Sequence, residues 1–417
     1  MRASQASPGA ASLQSAVTAL FFLWGGITSL NDVLLPKLKS VFVLSYAEAM
    51  LVQFAFFAAY ALVSVPAGRL LARLGFGRGI VIGLVVMALG CLLFLPAAVY
   101  AVYAVFLLAL FVLAAGITIL QVAANPLIAG LGSAASSHSR LTLAQAFNSL
   151  GTTLLPLLGA QLLLGGEHDA GGAAATQLIG RSYLGIATLL LLMAVGFWWV
   201  RGRLASSLMA EPMLGGASWR LLARPRLGLG VLAMFLYVGA EVAIGSLLVN
   251  FLMQPDTLAL DERRAGSAIA LYWGGAMLGR FAGAALLRRI APGVALAAVA
   301  LGAGALALVA AFASGPPAAW ALLSIGLMNA IMFPTIFSLA VEGLGARVAQ
   351  GSGLLCMAIV GGAIVPVAVG ALADAAGLAA SLLIPALCYG GIAAYGLLAR
   401  PMPAPPGLAA DAGAGAS

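Results

Sequence analysis

RGRLASSLMAEPMLGGASWRLLARPR, residues 201–226, is the longest basic interruption in this chain and lies near its centre. It carries Arg201, Arg203, Arg220, Arg224 and Arg226. On both sides the sequence turns apolar for long stretches. A membrane span needs about 20 mostly apolar residues. Breaking the chain at charged and Pro/Gly clusters gives six such runs before the interruption, near 16–38, 48–71, 79–98, 101–130, 141–164 and 182–200. Six more follow, near 228–253, 266–287, 293–313, 318–343, 350–373 and 379–399. The basic stretch therefore reads as a linker between two sets of spans.

Composition supports this. Of 417 residues, 63% are hydrophobic and only 8% charged, where soluble domains carry about 25%. Mean hydropathy is +1.11. The 52 glycines suit close helix packing in a bilayer. A net charge of +8 raises the question of nucleic acid. The arginines answer it, because they fall in short clusters between apolar runs, where they act as topology signals. With the N-terminus inside, the inner segments hold Arg69, Arg73, Arg78, Arg140, Arg280, Arg288, Arg289, Arg347 and Arg400 as well as the linker arginines. The outer segments hold Lys37, Lys39, Arg181, Arg263 and Arg264, and most loop acids: Glu48, Glu167, Asp169, Asp256, Asp261 and Glu262. An even span count puts both termini in the cytoplasm.

The expectation is an all-α membrane protein of twelve transmembrane helices in two six-helix bundles. Residues 1–15 form a cytoplasmic tail, 16–200 the first bundle, 201–227 the linker, 228–399 the second bundle, and 400–417 a disordered Pro/Gly/Ala-rich tail. The halves also echo each other. GRLLARLGFGRG starts at Gly68 and GRFAGAALLRRI at Gly279, each at a cytoplasmic helix end. Gly151 precedes Pro156 at the same spacing as Gly361 precedes Pro366. A duplicated six-helix unit is the arrangement of major facilitator transporters.

Cys91, Cys356 and Cys388 lie in apolar runs with no CxxC partner, and read as small packing residues. His138 and His168 stand alone in loops. No acidic pair or His/Asp cluster occupies the loops, which argues against an enzyme acting on lipid-linked sugars. No metal site or cofactor is expected, and the loops and tail are too short for the output domain of a sensor.

The apolar body resembles the fucose/galactose/glucose:cation symporter branch of the major facilitator superfamily. The resemblance rests on FFLWGGITSLNDVLLPKLK, YAEAMLVQFAFFAAY, GITILQVAANPLIAGLG, LAQAFNSLGTTLLP and YVGAEVAIGSLLVNFL, in this order. It implies uptake of a sugar (a hexose such as glucose or galactose, or L-fucose) by symport with H+, Na+ being the rival cation. It also implies a multi-pass protein of a bacterial inner membrane, and a monomer is expected. The sequence departs from the family in two places. The superfamily's usual aspartate after the second span is replaced by Ala72. Fucose-transporting members have glutamate before AANP, whereas here and in glucose/galactose members the position is glutamine, Gln121. That shifts the expected substrate towards a hexose and removes one proton carrier.

Asp32 is the leading site candidate. A carboxylate deep in a span costs about 2.5–3.5 kcal/mol on insertion scales, so it is a functional hypothesis by default. An acceptor-only group suits a polyol and can titrate, and the resemblance places a substrate and coupling aspartate here. The plain alternative is a structural carboxylate capped by Asn31 or paired to an outer lysine. Gln121 and Asn125 share one face of the fourth span, and Gln145 and Asn148 one face of the fifth. Buried amides need partners, so these line a cavity or bond neighbouring helices. Resemblance implies sugar contact at Gln145. Glu241, in FLYVGAEVAIGS of the seventh span, reads either as a structural acid hydrogen-bonded to another helix or as a second coupling or gating acid, and Asn329 completes the substrate set. Arg69, Arg73, Arg78 and Arg280 are expected at the cytoplasmic gate. The rival within transporters is an exporter of another small solute, which would favour a cavity without this amide set.

Overall fold

A computed structural model describes the backbone of residues 8–40, 46–100, 102–164, 173–206 and 218–399. Within those, the side chains of 8–11, 30–40, 46–50, 53, 157–164, 173–179 and 203–206 lie outside the description. The described chain is helical throughout. The first half contains α1 (Pro8–Ser40), α2 (Tyr46–Leu74), α3 (Phe76–Tyr100), α4 (Tyr103–Gly130), α5 (Ser137–Leu164) and α6 (Ala173–Ser206). The second contains α7 (Pro225–Met253), α8 (Glu262–Leu286), α9 (Pro292–Phe312), α10 (Pro316–Asn329), α11 (Met332–Val341), α12 (Val348–Met357), α13 (Gly361–Ala376), α14 (Leu378–Ser381) and α15 (Leu383–Leu398). Short 3₁₀ turns at 134–136, 218–223, 345–347 and 358–360 join some of them. Among the described residues, nine segments are long and apolar enough to cross a membrane. α8 is not one of them; it carries Glu262, Arg263, Arg264 and Arg280.

Three apolar runs that read as unbroken in sequence are interrupted. Residues 318–343 split into α10 and α11, 350–373 into α12, a 3₁₀ turn and α13, and 379–399 into α14 and α15. The first break has a clear cause. Pro334 has no N–H to give to the Ala330 carbonyl four residues earlier, and its ring crowds that carbonyl. Residues 330–331 form turns instead of helix. The linker is shorter than its sequence suggested, since α6 runs on to Ser206 and α7 begins at Pro225.

Helix contacts fall into two sets. α3 packs on α4 and α6, α1 on α5, and α2 on α4; in the second half α9 packs on α10 and α15, and α7 on α13 and α15. Between the halves the contacts run α2 to α12, α5 to α8, α4 to α12 and α5 to α11. The α1/α5 pair is close because Gly151 lacks a side chain: a Cβ there would sit 2.0 Å from the Phe22 carbonyl. Pro156 frees the Thr152 carbonyl by the same logic as Pro334, and Ser29 Oγ of α1 donates to it at 2.9 Å. These contacts fix α1 against α5 one turn before Asp32. Asp32 thus has a place in α1, while its side chain lies outside the described residues.

At the arginine-rich end, Arg140 closes the C-terminus of α4. Its guanidinium donates to the carbonyls of Ile128, Ala129 and Ser133 and to Ser136 Oγ. Carbonyls left over at a helix end are well served by a cation.

Candidate functional site

The amides of α4 and α5 meet. Asn125 is fully buried, and Gln145 Nε2 donates to its Oδ1 at 3.3 Å. Asn125 Nδ2 and Gln121 Oε1, one turn apart on α4, are both buried without a protein partner. A donor and an acceptor are thus presented together beside Gln145. Leaving such groups unpartnered costs about 1–3 kcal/mol each, so a polar partner at either atom would be favoured. Asn148 is placed differently: its Nδ2 donates to the Phe21 carbonyl at 2.9 Å and ties α5 to α1. Trp24 is buried against Phe21. Phe147 meets Phe281 edge-on across the α5/α8 seam, with ring centroids 5.7 Å apart.

The second half contributes a hydrogen-bonded cluster. Asn329, the last residue of α10, is fully buried. Its Nδ2 donates to the Tyr272 hydroxyl at 2.9 Å, and the Tyr389 hydroxyl donates to its Oδ1 at 2.9 Å. The Tyr237 hydroxyl donates to Glu241 Oε1 at 2.8 Å and lies 3.4 Å from the Asn329 carbonyl, which the helix break has freed. Asn329 therefore ties α7, α8, α10 and α15 together with both side-chain ends satisfied. Tyr389 carried no signal in the sequence; it is one of many aromatics in apolar runs, and only the fold reveals its partner.

Arg280 lies deeper than a gate position suggests. Its Nε donates to the Ala330 carbonyl at 3.3 Å, supplying the donor that Pro334 lacks, and its Nη1 bonds Ser149 Oγ on α5. Its charge also acts on Glu241 and Tyr237. The other gate arginines differ from it. Arg69 Nε reaches Ser218 Oγ at 3.3 Å, just before α7, while Arg73 and Arg78 are exposed.

His138 is buried in the first turn of α5, not set in a loop as the sequence suggested. Its Nδ1 lies 2.6 Å from Ser338 Oγ of α11, joining the halves. Beside it Ser139 Oγ donates to the Ala284 carbonyl of α8 and accepts from Arg288 at 3.3 Å. On the α2/α12 seam the backbones touch: a Cβ on Gly68 would lie 2.7 Å from the Ala349 carbonyl, and one on Gly353 2.6 Å from that of Ser64. Arg226 pairs with Glu342 at the same end. The halves are therefore closed on each other at the arginine-rich end. His168, Glu167 and Asp169 lie outside the described residues.

Comparison with known proteins agrees with this geometry. Residues 17–359 match the profile of the Major Facilitator Superfamily. A glucose/galactose transporter of Brucella abortus is 51% identical over 388 residues, covering 92% of this chain and 93% of the relative. The L-fucose-proton symporter of Escherichia coli K12 is 38% identical over 395 residues, 89% of each chain. Among solved structures, the transporter FucP in its outward conformation superposes with a TM-score of 0.86 at 34% identity, covering 94% of this chain and all of that one.

Proposed function

The chain belongs to the Major Facilitator Superfamily, and from that premise we propose that it takes up a hexose of the glucose or galactose class by cation symport through alternating access. It is a multi-pass membrane protein of a transporter family, not an enzyme. The observation that carries the substrate class is the unpartnered pair Gln121 Oε1 and Asn125 Nδ2 beside Gln145. A vicinal diol both donates and accepts, so it completes both amides at once. The names of the relatives point the same way, from glucose/galactose in the Brucella protein to L-fucose in the Escherichia coli protein.

The proposed architecture has twelve spans in two six-helix bundles with both termini in the cytoplasm. The arginine-rich end is then the inner end. The described state, closed there, is the outward-facing one. The sugar binds between the halves near Gln121, Asn125 and Gln145, with Asn148 holding α1 in place and the Asn329 cluster forming the opposite wall. The halves then rock about the bound sugar.

Coupling rests on Asp32. Gln121 does not titrate, which leaves Asp32 as the acid well inside a predicted span of the first half; Glu241 is its counterpart in the seventh span. A proton on Asp32 biases which state reorients, and a ligand shifts an equilibrium only by its differential affinity for the two states. Sodium is the second reading: an ionised Asp32 would be one hard oxygen ligand of the kind such a cation takes, with amide and carbonyl oxygens supplying the others.

Counterflow in proteoliposomes tests this. Vesicles loaded with unlabelled glucose, galactose, fucose or mannose are given labelled sugar, with wild type beside Asp32→Asn. One hexose should exchange. Asp32→Asn should keep exchange and lose uptake driven by a cation gradient. No exchange of any sugar by wild type would end the sugar assignment, and gradient-driven uptake by Asp32→Asn at the wild-type rate would end the coupling role.

A further inference from the structure

On the twelve-span reading Arg280 lies within the eighth span, where charged groups are rare, costly and paired. Its partners come from three places. The Ala330 carbonyl, left without a helical donor by Pro334, accepts from Nε. Ser149 Oγ on α5 accepts from Nη1. Glu241 on α7 is the acid close enough to feel its charge. Ser149 is free to accept because its own proton goes to the Gln145 carbonyl at 3.1 Å, one turn back along α5. Arg280 therefore touches the helix break of the second half, and through Ser149 the turn of α5 that carries Gln145.

The segment beyond the break, α11, is tied to α5 twice. Arg280 links its leading turn to Ser149, and Ser338 links its far end to His138. Parting the halves at the arginine-rich end must undo both ties. The second is an ordinary neutral hydrogen bond. The first is charge-assisted and spans both halves, and bonds of that kind are about twice as strong.

We propose that Arg280 is a positioning residue for the transport cycle: its guanidinium straps the α10/α11 break to α5 while the arginine-rich end is closed, and letting go of Ser149 is a required step in opening that end. This rests on the alternating-access reading above, and its test is independent of sugar. Thr142 of α5 is fully buried and faces Gly283 of α8, 3.9 Å from an ideal Cβ there. In a background with Cys91, Cys356 and Cys388 replaced by alanine, Thr142→Cys reports opening of this seam by its rate of reaction with N-ethylmaleimide.

Arg280→Gln should raise that rate about tenfold, the size of one charged hydrogen bond. Ser149→Ala, a small change that leaves the Ala330 contact intact, should shift it in the same direction. Arg280→Lys should fall between wild type and Arg280→Gln. In galactose counterflow, Ser149→Ala should change the exchange rate and leave half-saturation within about twofold. Unchanged labelling in Ser149→Ala overturns the proposal, whether or not Arg280→Gln folds. If wild type exchanges no sugar, the transport assignment fails while the labelling rates still decide the role of Arg280.

Discussion

Asn125→Leu separates a substrate amide from a packing amide. Leucine has the branching and heavy-atom number of asparagine, with methyl groups bulkier than the amide atoms they replace. Two polar terms change in the ligand-free protein. The bond from Gln145 Nε2, long at 3.3 Å, is lost and leaves that buried donor unpartnered, which costs about 1–3 kcal/mol. The unpartnered Nδ2 disappears as well, removing a desolvation cost of about 1–3 kcal/mol. The two polar terms offset and the added bulk costs about 1–3 kcal/mol, so stability should hold or fall modestly. Sugar affinity should fall, because the donor offered to a hydroxyl is gone: about 1–3 kcal/mol, or roughly 5- to 150-fold in half-saturation. The assays are thermal unfolding of the purified protein and the concentration dependence of counterflow. A lower unfolding temperature with unchanged half-saturation would refute the reasoning, and Asn125 would then be a helix–helix bond alone.

Gly353→Ala places a Cβ 2.6 Å from the Ser64 carbonyl, so the α2/α12 seam cannot close as described. Overpacking of this kind costs about 1–3 kcal/mol, and labelling of Thr142→Cys should rise at least about fivefold. Ser338→Ala removes the partner of His138 Nδ1 and should speed the same labelling by a smaller factor, about fivefold at most. Arg140→Ala removes the donor to two carbonyls of α4 and two acceptors of the turn after it, and should destabilise by at least about 1.5 kcal/mol in thermal unfolding. Glu342→Gln breaks the pair with Arg226 at a partly exposed surface and should change stability by less than about 1 kcal/mol.

Much of this could be read from the chain because membrane helices announce themselves by length and hydropathy. Spacing put Gln121 with Asn125 and Gln145 with Asn148 on shared helix faces; that Asn125 and Gln145 meet is a contact between helices that spacing does not give. The break after Asn329 did not stand out, because residues 318–343 stay apolar across it. Its signal was Pro334, four residues past the carbonyl it strands. Arg280 was read as a gate residue because it sits near a basic helix end. That it turns to a stranded carbonyl on another helix is a tertiary fact, invisible to local pattern. His138 was misread for a similar reason, since its partner Ser338 is 200 residues away. Asn148 sits on the same face as Gln145, yet the close approach at Gly151 brings the Phe22 turn of α1 within its reach.

The α2/α12 seam joins Ser64 and Gly68 to Ala349 and Gly353, backbone against backbone. Glycine and alanine surrender no rotamer freedom when buried. Two such surfaces can separate and meet again without side chains having to find one conformation among many. The seam thus re-forms with little search, and the time spent closed depends on the few directional ties elsewhere at that end. Under the proposed alternating access, which would open this seam once per molecule moved, a contact that holds its shape when parted would favour speed.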